Sequence, residues 1–263
     1  MVKNTFLIML QLFKRDLVVI KNDIKDHIIN SILITPLLFA FTFGYALPLA
    51  GGLAGIEKGQ LDMFIGCVLW QLIPVAFLFS LDVLFDLEGN KFICYQATLV
   101  RPWLLIIEKI FFYSIYSFIF ASFFFPITLT YLGYAKLLPS INWIAFSAIL
   151  YLGALCISAF YMFFVFFIKG SEKIDNPWRR YVHPAVVLGG ELAPTYAISK
   201  FSPTLGAIAT YNPFMCISDG CRQAILKGDR FLSFSHCIFT LIAFSILFIF
   251  LSIVYFKKRI DHV

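Results

Sequence analysis

The chain has 263 residues, of which 60% are hydrophobic, 18% aromatic and only 14% charged, with a formal net charge of +6. Soluble domains carry about 25% charged residues, so this composition excludes an ordinary soluble fold. No stretch has the basic, polar make-up of a nucleic-acid surface, so the positive charge does not point to nucleic acid as a partner.

Residues 28–56, 63–81, 110–135, 137–168 and 231–256 hold no Asp, Glu, Lys or Arg, and 181–199 is interrupted only by Glu191. At about 1.5 Å per residue, roughly 20 apolar residues cover a hydrocarbon core of about 30 Å. Lipid offers no hydrogen-bond partners, so such runs must be helices that satisfy their own backbone. The reading is an all-α membrane protein with six transmembrane helices, over about 28–49, 62–85, 104–132, 142–168, 181–199 and 234–256. A coupling segment falls at 86–103 and an outer segment at 200–230. The short loops leave no room for a separate soluble unit, so a single transmembrane domain over 1–263 is expected.

At the N-terminus, residues 5–13 are apolar but run into Lys14-Arg15-Asp16 without a small-residue cleavage site, which argues against a signal peptide. Phe6, Leu10, Phe13, Leu17, Ile20 and Ile24 recur at steps of four and three and form one apolar stripe. Gln11, Lys14, Arg15, Asn22 and Lys25 fall largely on the other side. This pattern predicts an amphipathic helix over 1–26 lying in the membrane interface, in contact with lipid, with a cytoplasmic helix packed on a partner or an extension of the first span as the alternatives.

Basic residues set the orientation. Lys3, Lys14, Arg15, Lys21 and Lys25 precede the first span, and Lys91, Arg101 and Lys109 follow the second. Lys169, Lys173, Arg179 and Arg180 follow the fourth, and Lys257, Lys258 and Arg259 the sixth, so one side holds 15 of the 21 basic residues. The positive-inside rule then puts both termini in the cytoplasm, in an integral protein of a bacterial cytoplasmic (inner) membrane.

Between the second and third spans, Gly89-Asn90 is a turn signal and Arg101-Pro102 a helix stop or restart. The residues between them suffice for a short amphipathic helix that could pass force from a soluble partner. An ordinary solvated loop, with Lys91 and Arg101 reaching lipid phosphates, is the alternative. Asp82 and Asp86 fall at the headgroup level.

In the region 181–230, Pro184, Pro194, Pro203 and Pro213 recur about every ten residues, with Gly189-Gly190 between the first two. A straight span does not need these breaks, so a re-entrant hairpin after the fifth span is expected. Asn212 and Pro213 have the residue types of a helix cap and first position, and Asp219 and Arg222 of that helix form an i, i+3 pair. Glu191 is either a pathway or gating residue or a structural acid near the interface.

Catalytic chemistry has little to work with. Residues 51–59 are Gly-rich but lack the Lys-Ser/Thr ending of a phosphate loop. His27, His183, His236 and His262 are scattered, and the six cysteines contain no C-x-x-C pair, which reads as apolar packing rather than metal or disulfide chemistry. No catalytic, cofactor-binding or metal-binding residue is assigned, and the chain is not expected to be an enzyme.

The order of these elements resembles the ABC transporter permease of the type-2 exporter class. The resemblance is carried by Lys14-Arg15-Asp16-Leu17, Thr35-Pro36-Leu37-Leu38, Phe43-Gly44-Tyr45, Leu99-Val100-Arg101-Pro102 and Glu108-Lys109. Tyr211-Asn212-Pro213-Phe214, Asp219-Gly220-Cys221-Arg222 and Lys227-Gly228-Asp229 complete it. Gly89-Asn90-Lys91 departs from the Gly-Thr and second acid of many relatives, and the motifs of the polysaccharide-exporting branch are missing, which favours a lipid-like or drug-like substrate.

The resemblance implies an ATP-driven exporter in which a separate ATP-binding cassette ATPase carries ATP and Mg. It implies pairing with a second permease copy, the first and fifth spans lining the path. The docking residues it implies are Glu88, Gly89, Asn90, Lys91, Phe92, Tyr95, Gln96, Arg101 and Pro102. Phe43, Tyr45, Glu191, Tyr211, Asn212 and Pro213 would line the substrate pathway or gate. An ion-coupled secondary transporter and a membrane-embedded lipid-modifying enzyme are the alternatives; the first predicts inverted repeats and the second clustered acids or histidines at one depth.

Overall fold

A computed structural model describes residues 2–21, 24–42, 46, 57–89, 91–168, 170–228 and 230–260. Most of the described residues are helical, with no strand among them. Helix α1 is Val2–Ile20. Helix α2 runs over residues 24–41 as the segments Ile24–Ile28, Ile29–Ile34 and Thr35–Phe41, the middle one wound as a π-helix. Helix α3, Glu57–Gly66, passes through a turn at Cys67 and Val68 into α4, Leu69–Glu88. Then come α5 (Phe92–Leu99), α6 (Pro102–Tyr131) and α7 (Trp143–Phe167). Helix α8 covers 178–191, followed by α9 (Thr195–Phe201), α10 (Pro203–Thr210), α11 (Pro213–Leu226) and α12 (Phe234–Ile260).

Among the described residues, four helices are long and apolar enough to cross a membrane: Leu61–Glu88, Pro102–Tyr131, Trp143–Phe167 and Phe234–Ile260. They match the predicted second, third, fourth and sixth spans, and the fold is that of an all-α integral membrane protein. Helix α7 lies at the centre, packed against α12, α6, α4 and α11. Gly153, Ala154, Ser158 and Ala159 are buried along it and let neighbouring backbones come close; Ser252 of α12 donates to the Ala159 carbonyl at 3.2 Å. Phe239, Ile246 and Phe250 of α12 are exposed, as suits a face against lipid rather than water.

The stretch expected as a fifth span is not one helix. Gly190 sits at φ +82 in the left-handed region that glycine tolerates, which ends α8, and Leu192–Pro194 are non-helical. Helices α9 and α10 then form a hairpin hinged at Ser202, whose hydroxyl caps the Leu205 N–H at 3.4 Å. As its residue types foretell, Asn212 caps α11: its Oδ1 accepts from Phe214 N at 3.0 Å, with Pro213 at the first helical position. Of the predicted first span, 28–49, residues 28–42 are helical, and 43–45 and 47–49 lie outside the described residues.

Helix α1 docks through only part of its stripe. Phe13 meets Phe112 of α6 edge-on at 4.8 Å, and Ile20 is buried. Asp16, at the border of the apolar stripe beside Phe13 and Ile20, is also buried, paired with Arg15 at 2.5 Å and with Lys109 of α6. Leu10 and Leu17 face outward with Leu7 and Val18.

Candidate functional site

The coupling segment is a short helix tied down at both ends. Gly89 ends α4 and Lys91, at φ +55, reverses the chain, its N–H donating to the Asp86 carbonyl at 2.6 Å. The Asp86 carboxylate reaches forward to accept from Ile93 N at 2.7 Å, neutralising a free N–H in the first turn of α5. At the far end Val100 is extended, Arg101 precedes α6, and Pro102 takes its first position, where no N–H is needed.

Of the expected docking residues, Phe92 and Tyr95 stand out from the protein, 52% and 60% exposed, with their rings stacked at 6.5 Å. Leu99, which the sequence placed in the motif closing the segment but not among the docking residues, extends the row at 68% exposure. The spacing 92, 95, 99 is one helical face. Gly89, Lys91 and Arg101 are also exposed, Pro102 is half-buried, and Asn90 lies outside the described residues. Gln96 is buried with Ile93 on the opposite side, so it faces the bundle and not a partner. Glu88 is exposed but engaged within the protein: its carboxylate accepts from Ser171 N and from Arg259, both at 3.2 Å. Arg259 in turn donates to the Val165 carbonyl, so the start of the segment is fastened to α7 and α12.

Behind α5 lies a cleft of about 240 Å³, lined among others by Arg15, Asp82, Asp86, Gln96, Lys109 and Tyr113. The cleft separates the short helix from α1. Cys94 is half-buried in α5; burial, with the Asp86 carboxylate adding to it against Lys91, holds its thiol above the ordinary range.

The expected pathway residues do not gather in one place. Phe43 and Tyr45 lie outside the described residues. Glu191 is half-buried, its Oε1 accepting from the Trp70 indole N–H at 2.7 Å, and it borders a space of about 30 Å³, enough for one water. Tyr211 is exposed against the His236 ring, 5.7 Å between centroids. Asn212 donates to the Ala185 carbonyl at 2.6 Å and, with Pro213, lines a different, apolar cavity.

What the structure does gather is a buried ionic knot. Arg222 and Asp219 of α11 are both 0% exposed and bonded at 2.9 Å. Arg222 also donates to the carbonyls of Asp62 and Gly190, and Asp219 accepts from Thr195 N at 3.3 Å. The Asp62 carboxylate takes Tyr196 at 3.1 Å and Arg230 at 3.2 Å. The pair was legible as i, i+3; Asp62, distant in sequence, gave no signal beyond a charge bordering an apolar run. These bonds fix α3, the end of α8, α9 and α11 to one another. Among the described residues no group of three or more His, Cys, Asp or Glu is placed to hold a metal ion.

Compared with known protein families, with curated proteins and with solved structures, the chain matches none.

Proposed function

We propose that the chain is the membrane subunit of an ATP-driven exporter of the type-2 ABC class, moving a hydrophobic, lipid-linked or drug-like substrate out of the cytoplasm. The observation that carries this reading is the row Phe92, Tyr95 and Leu99: apolar side chains outside the bundle, on a helix anchored by Asp86 and Glu88. An exposed apolar row on an anchored element marks a contact surface for a protein partner. The partner proposed is a separate ATPase subunit that carries ATP and Mg. Its motion tilts α5 into the cleft behind it, and the Glu88–Arg259 contact passes the tilt to α7 and α12.

In this reading α2 and α8 are the first and fifth of six crossings, and α9–α10 is the re-entrant hairpin of the outer leaflet. Both termini lie in the cytoplasm. Leu37, Leu38 and Phe41, exposed together on α2, support pairing with a second copy. Glu191, held by Trp70, borders the path at the end of α8.

The test is affinity purification of the full chain from its own membranes. An ATP-hydrolysing subunit co-purifies, and Phe92→Asp with Leu99→Asp loses at least tenfold of it while membrane insertion is unchanged. Solute transport by the purified chain alone, or undiminished substrate-stimulated hydrolysis in that variant, overturns the reading.

A further inference from the structure

A second cavity, of about 410 Å³, lies between α7, α8, the start of α11 and α12. Its walls are largely carbon, with Phe160, Phe163, Phe164, Phe214, Phe244 and Phe248 among the lining residues. The amide of Asn212 is the polar exception at its deep end, and both of its ends are occupied, Nδ2 by the Ala185 carbonyl and Oδ1 by Phe214 N. A ligand that needs hydrogen bonds finds none free there, which disfavours a sugar or a polar drug.

The shape narrows the choice further. Along α7 the lining runs from Cys156 to Phe167, about 16 Å at ~1.5 Å per residue. Half of a ~30 Å hydrocarbon core is about 15 Å, the depth reached by the chains of one leaflet. The mouth is at the end carrying Phe167 and Tyr181, both exposed. Two cations lie at that end. Arg180 precedes Tyr181 and is exposed. Lys258, also exposed, sits over the Tyr255 ring at 5.3 Å, and that ring packs on Phe163 and Phe167 at 5.6 and 5.5 Å.

We propose that this cavity holds one acyl chain of an anionic phospholipid, with Arg180 and Lys258 taking its phosphate at the mouth. The lipid is a resident wedge between α8 and the α7–α12 pair, present whether or not solute is being moved. Basic side chains at the membrane surface favour anionic headgroups, and the aromatic walls suit a hydrocarbon chain.

The experiment is native mass spectrometry of the full-length protein in mild detergent, with phosphatidylglycerol and phosphatidylcholine supplied in equal amounts. One phosphatidylglycerol per chain is retained. Ala185→Phe, which fills the cavity, lowers retention at least fivefold. Arg180→Gln with Lys258→Gln, both at exposed positions and so harmless to folding, lowers the preference for phosphatidylglycerol at least threefold. Retention unaltered by Ala185→Phe overturns the proposal, and so does an unaltered headgroup preference in the Gln pair. A halved particle mass in Ala185→Phe with lipid still bound assigns the cavity to a second copy instead. The readout needs neither an ATPase nor a transported solute, so it stands apart from the transport test.

Discussion

Arg222 and Asp219 lie one turn apart on α11, bonded across 2.9 Å with both side chains out of reach of solvent. Their charges cancel, and the other two guanidinium nitrogens donate to the Asp62 and Gly190 carbonyls. A single side chain thus closes three elements around one end of the bundle. Removing one partner of such a pair leaves a buried charge without compensation, which costs about 3–5 kcal/mol.

Arg222→Ala is therefore expected to unfold first in a thermal melt in detergent. Arg222→Lys fares little better, since an ammonium cannot reproduce the planar fork that reaches Asp219 and two carbonyls. Asp219→Asn keeps an acceptor for Thr195 N and leaves Arg222 its two carbonyls, so its midpoint falls between Arg222→Ala and the unaltered protein. A melt of Arg222→Ala equal to that of the unaltered chain would remove the knot from the stability of the fold.

The same place makes Gly66 irreplaceable. A methyl there would stand 2.3 Å from the Glu191 carbonyl oxygen and 2.4 Å from both the Gly190 oxygen and Arg222 Nη2. Two of the three obstacles are backbone and the third is locked in the knot, so Gly66→Ala must push α3 away from α8. Overpacking of this kind costs about 1–3 kcal/mol. Gly228→Ala is the control: its new methyl meets side-chain atoms at 3.5 Å or more. The expected melts are lowered for the first and unchanged for the second.

Much of this was legible in the sequence because lipid imposes so strong a rule. Uncharged runs had to be helices, and α4, α6, α7 and α12 followed. Gly89, Pro102, Asn212 and Pro213 marked helix ends because their backbone chemistry permits little else. The docked face of α1 was not legible: lipid and protein interior are both apolar, so the stripe could not separate Phe13, which docks, from Leu10 and Leu17, which do not. Gln96 was among the docking residues that the resemblance implied, but the outward face of α5 is the apolar one and Gln96 is buried opposite it. The bond between Arg222 and the Asp62 carbonyl joins residues 160 positions apart, and no local pattern encodes it.

Asp86 gives a test of the coupling helix that leaves its outer face untouched. Its carboxylate holds Ile93 N at 2.7 Å, and losing a helix-start acceptor costs about 1 kcal/mol. Asp86→Ala is expected to raise hydrogen exchange over residues 92–96 about fivefold, while α6 and α7 exchange as before. Unchanged exchange in α5 would show that Lys91 and the packing of Ile93 suffice to hold it.

Cys94 reports on the same helix from within. The other five cysteines are buried, so a maleimide applied to the folded protein goes to Cys94. Burial, joined by the Asp86 carboxylate, raises its thiol above the ordinary value, and only the thiolate reacts. Between pH 7 and 8 its labelling is therefore slower than that of an exposed peptide thiol. Its rate levels off at a higher pH than that of an exposed peptide thiol. A docked partner that covers α5 is expected to slow the reaction further at every pH without moving the shape of the curve. A profile that levels off with the peptide thiol would mean that Cys94 is open to water and that α5 does not rest on the bundle.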